Sequence, residues 1–154
     1  MLLKNPMLVV SDMDRSVAFY ENVLGLQVIM DFGANKILTG GLSLQTTETY
    51  KMFIDAATIS FGGNNFELYF EEDEFDQFVK NLSDYEIECV HPVKEHAWGQ
   101  RVVRFYDPDH HIIEVGEKME TVCRRFLDQG MTPEDVARRM DVPVNFVRQC
   151  MDFC

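Results

Sequence analysis

No stretch of this 154-residue chain approaches the ~20 consecutive apolar residues that cross a bilayer. Its start, Met1-Leu2-Leu3-Lys4-Asn5-Pro6, also lacks the apolar segment of a secretory signal. A soluble, cytoplasmic protein is expected, with no membrane partner. Cysteine is sparse. Cys89, Cys123, Cys150 and Cys154 are scattered except for the last two, which disfavours a disulfide framework or a zinc knuckle and fits reduced thiols that ligate nothing. There is no H-E-x-x-H, no nucleophile elbow and no phosphate loop. Positive charge is scarce as well: the net charge is −12, and all of it falls in residues 1–117, where 20 Asp and Glu face 8 Lys and Arg. Such a body repels phosphate backbones and anionic lipid, so nucleic acid is a poor partner for it.

What the chain does have is 46% hydrophobic residues, enough for one real core and a small appendage. Leu3 to Val10 reads as a strand, and Asp12 then caps a helix to about Leu24. Val17, Tyr20 and Leu24 share one face of that helix, and Gly25 supplies the left-handed residue that ends it. Leu26–Phe32 and Ile37–Leu44 read as strands joined around Gly33-Ala34-Asn35-Lys36. Thr46 to Asp55 is ambiguous between helix and strand. A third strand is expected at Ala57–Phe61, ended by Gly62-Gly63-Asn64-Asn65.

The same order then restarts. Phe66–Phe70 reads as a strand, Asp73 as a cap, and Phe75, Phe78, Val79 and Leu82 as the apolar face of a helix. Strands follow at Glu86–Pro92, Arg101–Tyr106 and Ile112–Gly116, the last two joined by the turn Asp107-Pro108-Asp109-His110. Strand, helix, three strands thus occurs twice at a spacing of about 60 residues. From Lys118 onward the chain reads as three helices: one stopped by Gly130, one started by Thr132-Pro133-Glu134-Asp135, and one beginning near Pro143. The domain expectation is 1–117 for the duplicated body and 118–154 for a helical extension.

Three segments carry a family resemblance: V-x-D-x-x-R-S-x-x-F-Y-x-x-x-L-G at 10–25, Trp98-Gly99, and F-Y-D-P-D-x-x-x-I-E at 105–114. Together with the duplicated order, they resemble the vicinal oxygen chelate superfamily, which includes glyoxalase I, bleomycin-resistance proteins and extradiol dioxygenases. The resemblance implies an α+β fold: tandem β-α-β-β-β repeats forming a curved, mostly antiparallel sheet around a pocket, with the three C-terminal helices added. It also implies four inward strand positions that hold a divalent metal in metal-dependent members. Carried onto this chain, these fall at about Asn5, Ser60, Glu67 and Glu114. Only the two glutamates are good ligands, so the set is a poor transition-metal site. No cofactor is expected, with a divalent ion as the alternative held by Glu67, Glu114 and Asn5.

Two readings of the acids stay open. Facing one another in a dry pocket, Glu67 and Glu114 would repel, raise at least one pKa and leave Glu114 as a general base. Alternatively, Glu67 lies on a solvated face and Glu114 is a structural acceptor. His110 takes the turn position where the resembling motif has glycine, a backbone role that histidine tolerates. His111 could point either way, and His91 and His96 flank a loop before Trp98. The candidate ligand wall is aromatic: Phe61, Tyr69, Trp98, Phe105 and Tyr106.

Three functions follow. The first is a small-molecule-binding protein of bleomycin-resistance type with a degenerate metal site, acting as a homodimer. The second is a divalent-metal lyase or isomerase resembling glyoxalase I (lactoylglutathione lyase). The third is a ligand sensor whose tail docks on DNA, since Thr132–Met151 resembles a helix-turn-helix with Asn145, Arg148 and Gln149 available to bases. The tail's six acids and six bases favour a packing role over DNA.

Overall fold

A computed structural model of the chain describes residues 1–152, with the side chain of residue 152 left out; Cys154, read above as a bystander thiol, lies outside the described residues. The described residues form two compact units, residues 1–66 with 107–111, and residues 67–106 with those from 112 onward. No helix among the described residues is long and apolar enough to cross a membrane.

The first unit opens with strand β1 (Met7–Val10) and helix α1 (Met13–Leu24). Asp12 caps α1 by accepting from the Arg15 amide at 3.0 Å, and Gly25 ends it at φ +67°, where a residue without Cβ carries no steric cost. The buried stripe of α1 is Ser16 and Tyr20, both 0% exposed. The expected Val17 and Leu24 are only half-buried. Strands β2 (Val28–Asp31), β3 (Asn35–Leu38) and β4 (Ser43–Thr46) complete a sheet of order β1-β4-β3-β2. β1 and β4 run parallel, and the other two pairings are antiparallel.

Two strand expectations need correction. Ile37–Leu44 is not one strand: Gly40 and Gly41 at φ +78° and +82° turn the chain through a 3₁₀ step, splitting the apolar run into β3 and β4 because left-handed residues cannot continue a pleat. As a consequence, β4 is the third strand of the repeat. The ambiguous stretch becomes helix α2 (Thr47–Phe53), and Ala57–Phe61 is irregular.

The second unit repeats the plan with β5 (Glu67–Glu72), α3 (Phe75–Leu82), β6 (Cys89–Glu95), β7 (Arg101–Tyr106) and β8 (Ile112–Glu117). Its order β5-β8-β7-β6 matches the first sheet, again with one parallel and two antiparallel pairings. The duplication read from sequence is therefore real at the level of topology. Asp73 does not cap α3. Glu74 takes that position, and its amide is met by Glu72 Oε1 at 2.8 Å. Phe75 and Leu82 of α3 are buried, with Phe78 and Val79 half-buried beside them.

The tail forms α4 (Met119–Asp128), α5 (Pro133–Met140) and α6 (Val144–Asp152). Thr132 caps α5 with Pro133 in its first turn, as the sequence indicates. The three helices share a core of Val122, Cys123, Phe126, Val136, Met140 and Val147. Cys123 and Cys150 meet inside it, and burial with the neighbouring sulfur pushes the Cys123 thiol up to about 12. Such a thiol is a packing group rather than a nucleophile.

Candidate functional site

Within the first unit, β1, α2 and the irregular segment before β5 leave an open cavity of about 280 Å³. Its wall includes Leu8, Tyr50, Ile59, Ser60, Phe61 and His111. Phe61 and Ser60 reach it from the segment that fails to form a strand. Freed from a ladder, both side chains face open space, and Phe61 stays 38% exposed.

His111 arrives from the turn after β7. His110 adopts φ +62° there, the left-handed role expected of it. The turn is built around Asp107, whose side chain is fully buried. Its Oδ1 accepts from the amides of Asp109 at 2.9 Å and His111 at 2.8 Å. Its Oδ2 accepts from the Tyr20 hydroxyl at 2.8 Å and faces His111 Nδ1 at 2.8 Å. Burial works against this carboxylate, but the hydrogen bonds from His111, its charge whenever the ring is protonated, and the Tyr20 hydroxyl prevail and hold it below the usual range. The same burial, next to the Asp107 charge, pushes the Tyr20 phenol well above its ordinary value. Asp109 pins the turn from the other side, accepting from Ser11 Oγ at 2.5 Å, the Ser11 amide at 2.9 Å and Arg15 at 3.2 Å.

The second unit holds Glu67 and Glu114, and of the two readings left open for them the mutually repelling pair is not the arrangement found. The acids do not confront each other, because Arg104 stands on both. Arg104 lies directly opposite Glu114 across β7 and β8 and pairs with it through its guanidinium. Its Nε donates to Glu67 Oε2 at 3.0 Å, and another of its nitrogens lies 3.3 Å from His91 Nε2. Mutual repulsion is replaced by a shared cation.

The resembling family implies a divalent ion at these positions, and the residues present do not fit one. A guanidinium already takes the two carboxylates, and Asn5, whose amide nitrogen donates to Gly41 O at 2.7 Å, has only a neutral amide oxygen to offer an ion. Among the described residues no group of three or more His, Cys, Asp or Glu is arranged to hold an ion.

The expected aromatic wall is not assembled in either unit. Phe105 is 0% exposed and packs against Phe78 at 6.3 Å between centroids, so it belongs to the core, and Tyr106 is half-buried. Tyr69 and Trp98 are joined through Gln100, which accepts from Trp98 Nε1 at 3.2 Å and donates to the Tyr69 hydroxyl at 2.7 Å. Trp98 stacks on His96 at 4.2 Å. Burial, then the nearby Arg104 charge, holds that imidazole below its ordinary value.

Sequence reasoning missed Asp107, Arg104 and Gln100. A signal existed for the first two. Counting back from the turn pairs Tyr106 with Ile112 and hence Arg104 with Glu114, and the ends of a tight turn, Asp107 and His111, must lie near each other. Gln100 carried no such signal.

Sequence and structure comparisons agree with this architecture. Residues 3–120 match the family described as glyoxalase-like domain. Uncharacterized protein YraH of Bacillus subtilis is 30% identical over 122 residues, covering 70% of this chain and 91% of its own. A crystal structure of a protein of unknown function from Agrobacterium tumefaciens shares 37% identity at a TM-score of 0.70, covering 77% of this chain and 94% of that one. A lactoylglutathione lyase structure from the same organism, at 22% identity and a TM-score of 0.60 over 77% and 94% of the two chains, shares the fold. The chain belongs to the glyoxalase-like domain family and, through it, to the vicinal oxygen chelate superfamily.

Proposed function

We propose that this protein binds a small molecule in the cavity of its first unit, without a divalent ion, as a cytoplasmic homodimer of bleomycin-resistance type. The observation that carries the reading is the cavity itself: about 280 Å³, walled by Leu8, Ile59 and Phe61, with polar tips from Tyr50, Ser60 and His111. That composition, a mostly apolar wall with a few polar groups, is the usual make-up of a small-molecule site. Independence from metal is supported by Arg104, which supplies the positive charge that Glu67 and Glu114 would otherwise seek from an ion. A packing role for the tail is supported by its arginines, since Arg138 and Arg148 are held by Asp135 and Glu134.

The test is a thermal-shift screen of planar, hydrophobic and cationic compounds on the full chain, paired with native mass spectrometry. Compounds that raise the melting temperature and lose their effect in Ser60→Trp, which fills the cavity, are expected. Native spectra should show a dimer without stoichiometric metal. No hit in the screen, or hits indifferent to Ser60→Trp, would overturn the binding site. A bound divalent ion with chelator-sensitive turnover would instead establish the lyase reading.

A further inference from the structure

We infer that the cavity of the first unit recognises a small, neutral, largely apolar molecule through one hydrogen-bond donor, and that His111 Nε2 is the acceptor that selects it. The inference rests on the reading of that cavity as a ligand site and adds what the site discriminates.

The argument is one of proton accounting around Asp107. As a carboxylate it offers only acceptor sites. Two backbone amides take Oδ1, and Oδ2 takes the Tyr20 hydroxyl and His111 Nδ1. Nothing at Asp107 can donate to the imidazole, so the hydrogen between Oδ2 and Nδ1 sits on Nδ1. In the neutral ring that leaves Nε2 unprotonated, an acceptor whose direction is set by the carboxylate behind it.

Where that lone pair goes is settled by placement. His111 lines the cavity, its side chain keeps 18% exposure, and Nε2 meets no hydrogen-bonding partner among the described residues. The Phe61 ring meets the imidazole edge-on at 6.1 Å, which limits its rotation from the other side. Asp107 stands behind the imidazole and Phe61 beside it, with Tyr50 and Ser60 on the same cavity wall.

The rest of the wall dictates the body of the ligand. Leu8, Ile59 and Phe61 cannot satisfy further polar groups, and an acidic chain of net charge −12 disfavours anions. An apolar cavity of about 150 Å³ holds benzene, so 280 Å³ has room for a fused or substituted ring. A donor-bearing ring is held in one orientation by Nε2, whereas a ring bearing only an acceptor leaves Nε2 and itself unpaired.

Indole, with one N–H donor, and benzofuran, its near-isostere with an oxygen acceptor, are suitable probes. Titrations of the full chain followed by NMR should show indole binding roughly three- to ten-fold more tightly, the worth of one net hydrogen bond. His111→Phe should bind both with equal affinity. His111→Gln, which can still offer an acceptor, should keep part of the preference. Asp107→Asn faces Nδ1 with an amide donor, moves the ring hydrogen to Nε2 and should reverse the preference towards benzofuran. Should Asp107→Asn fail to fold, the ¹⁵N shifts of His111 in the wild-type chain report the tautomer directly, with the hydrogen expected on Nδ1. Equal affinity of the wild-type chain for both probes, or a hydrogen on Nε2, overturns the inference and leaves the cavity reading standing. If neither probe binds and the compound screen also finds nothing, the cavity reading fails first and takes this one with it.

Discussion

Replacing Arg104 by methionine keeps most of the apolar stem and removes the cation that Glu67 and Glu114 share. The two pairs are not equal. The Glu67 side chain is 42% exposed, so its share follows exposed ion pairs, about 0.2–1 kcal/mol. The Glu114 side chain is 8% exposed against 23% for Arg104. Stripping the partner from a buried charge costs about 3–5 kcal/mol, and the partial exposure of Arg104 puts this case at or below the lower end. A loss of about 2–4 kcal/mol is expected, read as a fall of ~1–2 M in the urea midpoint at a slope of roughly 2 kcal/mol/M. Most of that loss comes from an orphaned carboxylate rather than from a missing attraction, so Arg104→Met with Glu114→Gln should be more stable than Arg104→Met alone. Removing Arg104 also frees two acids on adjacent strands, so millimolar manganese should raise the midpoint of the single variant and leave the wild-type chain unchanged. A single variant within 1 kcal/mol of wild type, or a double variant no better than the single, would refute the assignment of Arg104 as the compensating charge.

Two further outcomes follow from the second unit and the turn. At Gly99 the backbone has φ +92°, and an added Cβ would lie 2.2 Å from Phe126 Cζ. Gly99→Ala should therefore cost about 2–4 kcal/mol from left-handed strain and overpacking, a loss that Phe126→Leu partly relieves in thermal melts. Asp107 and Glu117 are buried carboxylates held below their ordinary values of 3.8 and 4.5, because hydrogen bonds and nearby positive charge outweigh burial. For a depressed folded-state pKa the stabilisation is complete above the ordinary value and is lost as pH falls towards the folded one. The share of the unfolding free energy that these two carboxylates contribute should thus be constant near neutrality and decline below about pH 4.5, seen as a shallower acid-side decline in Glu117→Gln than in the wild-type chain when measured by urea titration at each pH.

The elements most legible in the sequence are those whose signal is local. Asp12 and Gly25 bracket α1, Thr132 and Pro133 start α5, and His110 bends the turn before β8, each by chemistry confined to a few neighbouring residues. The second repeat is read more accurately than the first for the same reason. Arg101–Tyr106 and Ile112–Gly116 are bounded by a proline turn, whereas the apolar stretch Ile37–Leu44 conceals a break at Gly40-Gly41 that hydropathy does not register. Ala57–Phe61 has strand-like residues and no strand partner. Pairing, not composition, decided against it.

The candidate site divides along the same line. Glu67 and Glu114 can be picked out by residue type, but their chemistry is set by Arg104, which reaches them only because β7 lies beside β8 and β8 beside β5. Phe105 looks like a ligand contact by kind and is a core residue by direction, since one step along a strand turns a side chain to the other face.

By itself, the sequence determined the duplicated order of elements, their caps and turns, and the family, because these depend on residue types at short separations. Only the tertiary structure decided that a guanidinium occupies the acids, that Ser60 and Phe61 border a cavity instead of a ladder, and that the Asp107 carboxylate lies against His111 Nδ1. Each of these depends on which atoms lie within about 3 Å of one another, and that distance is set by strand register and packing between segments tens of residues apart.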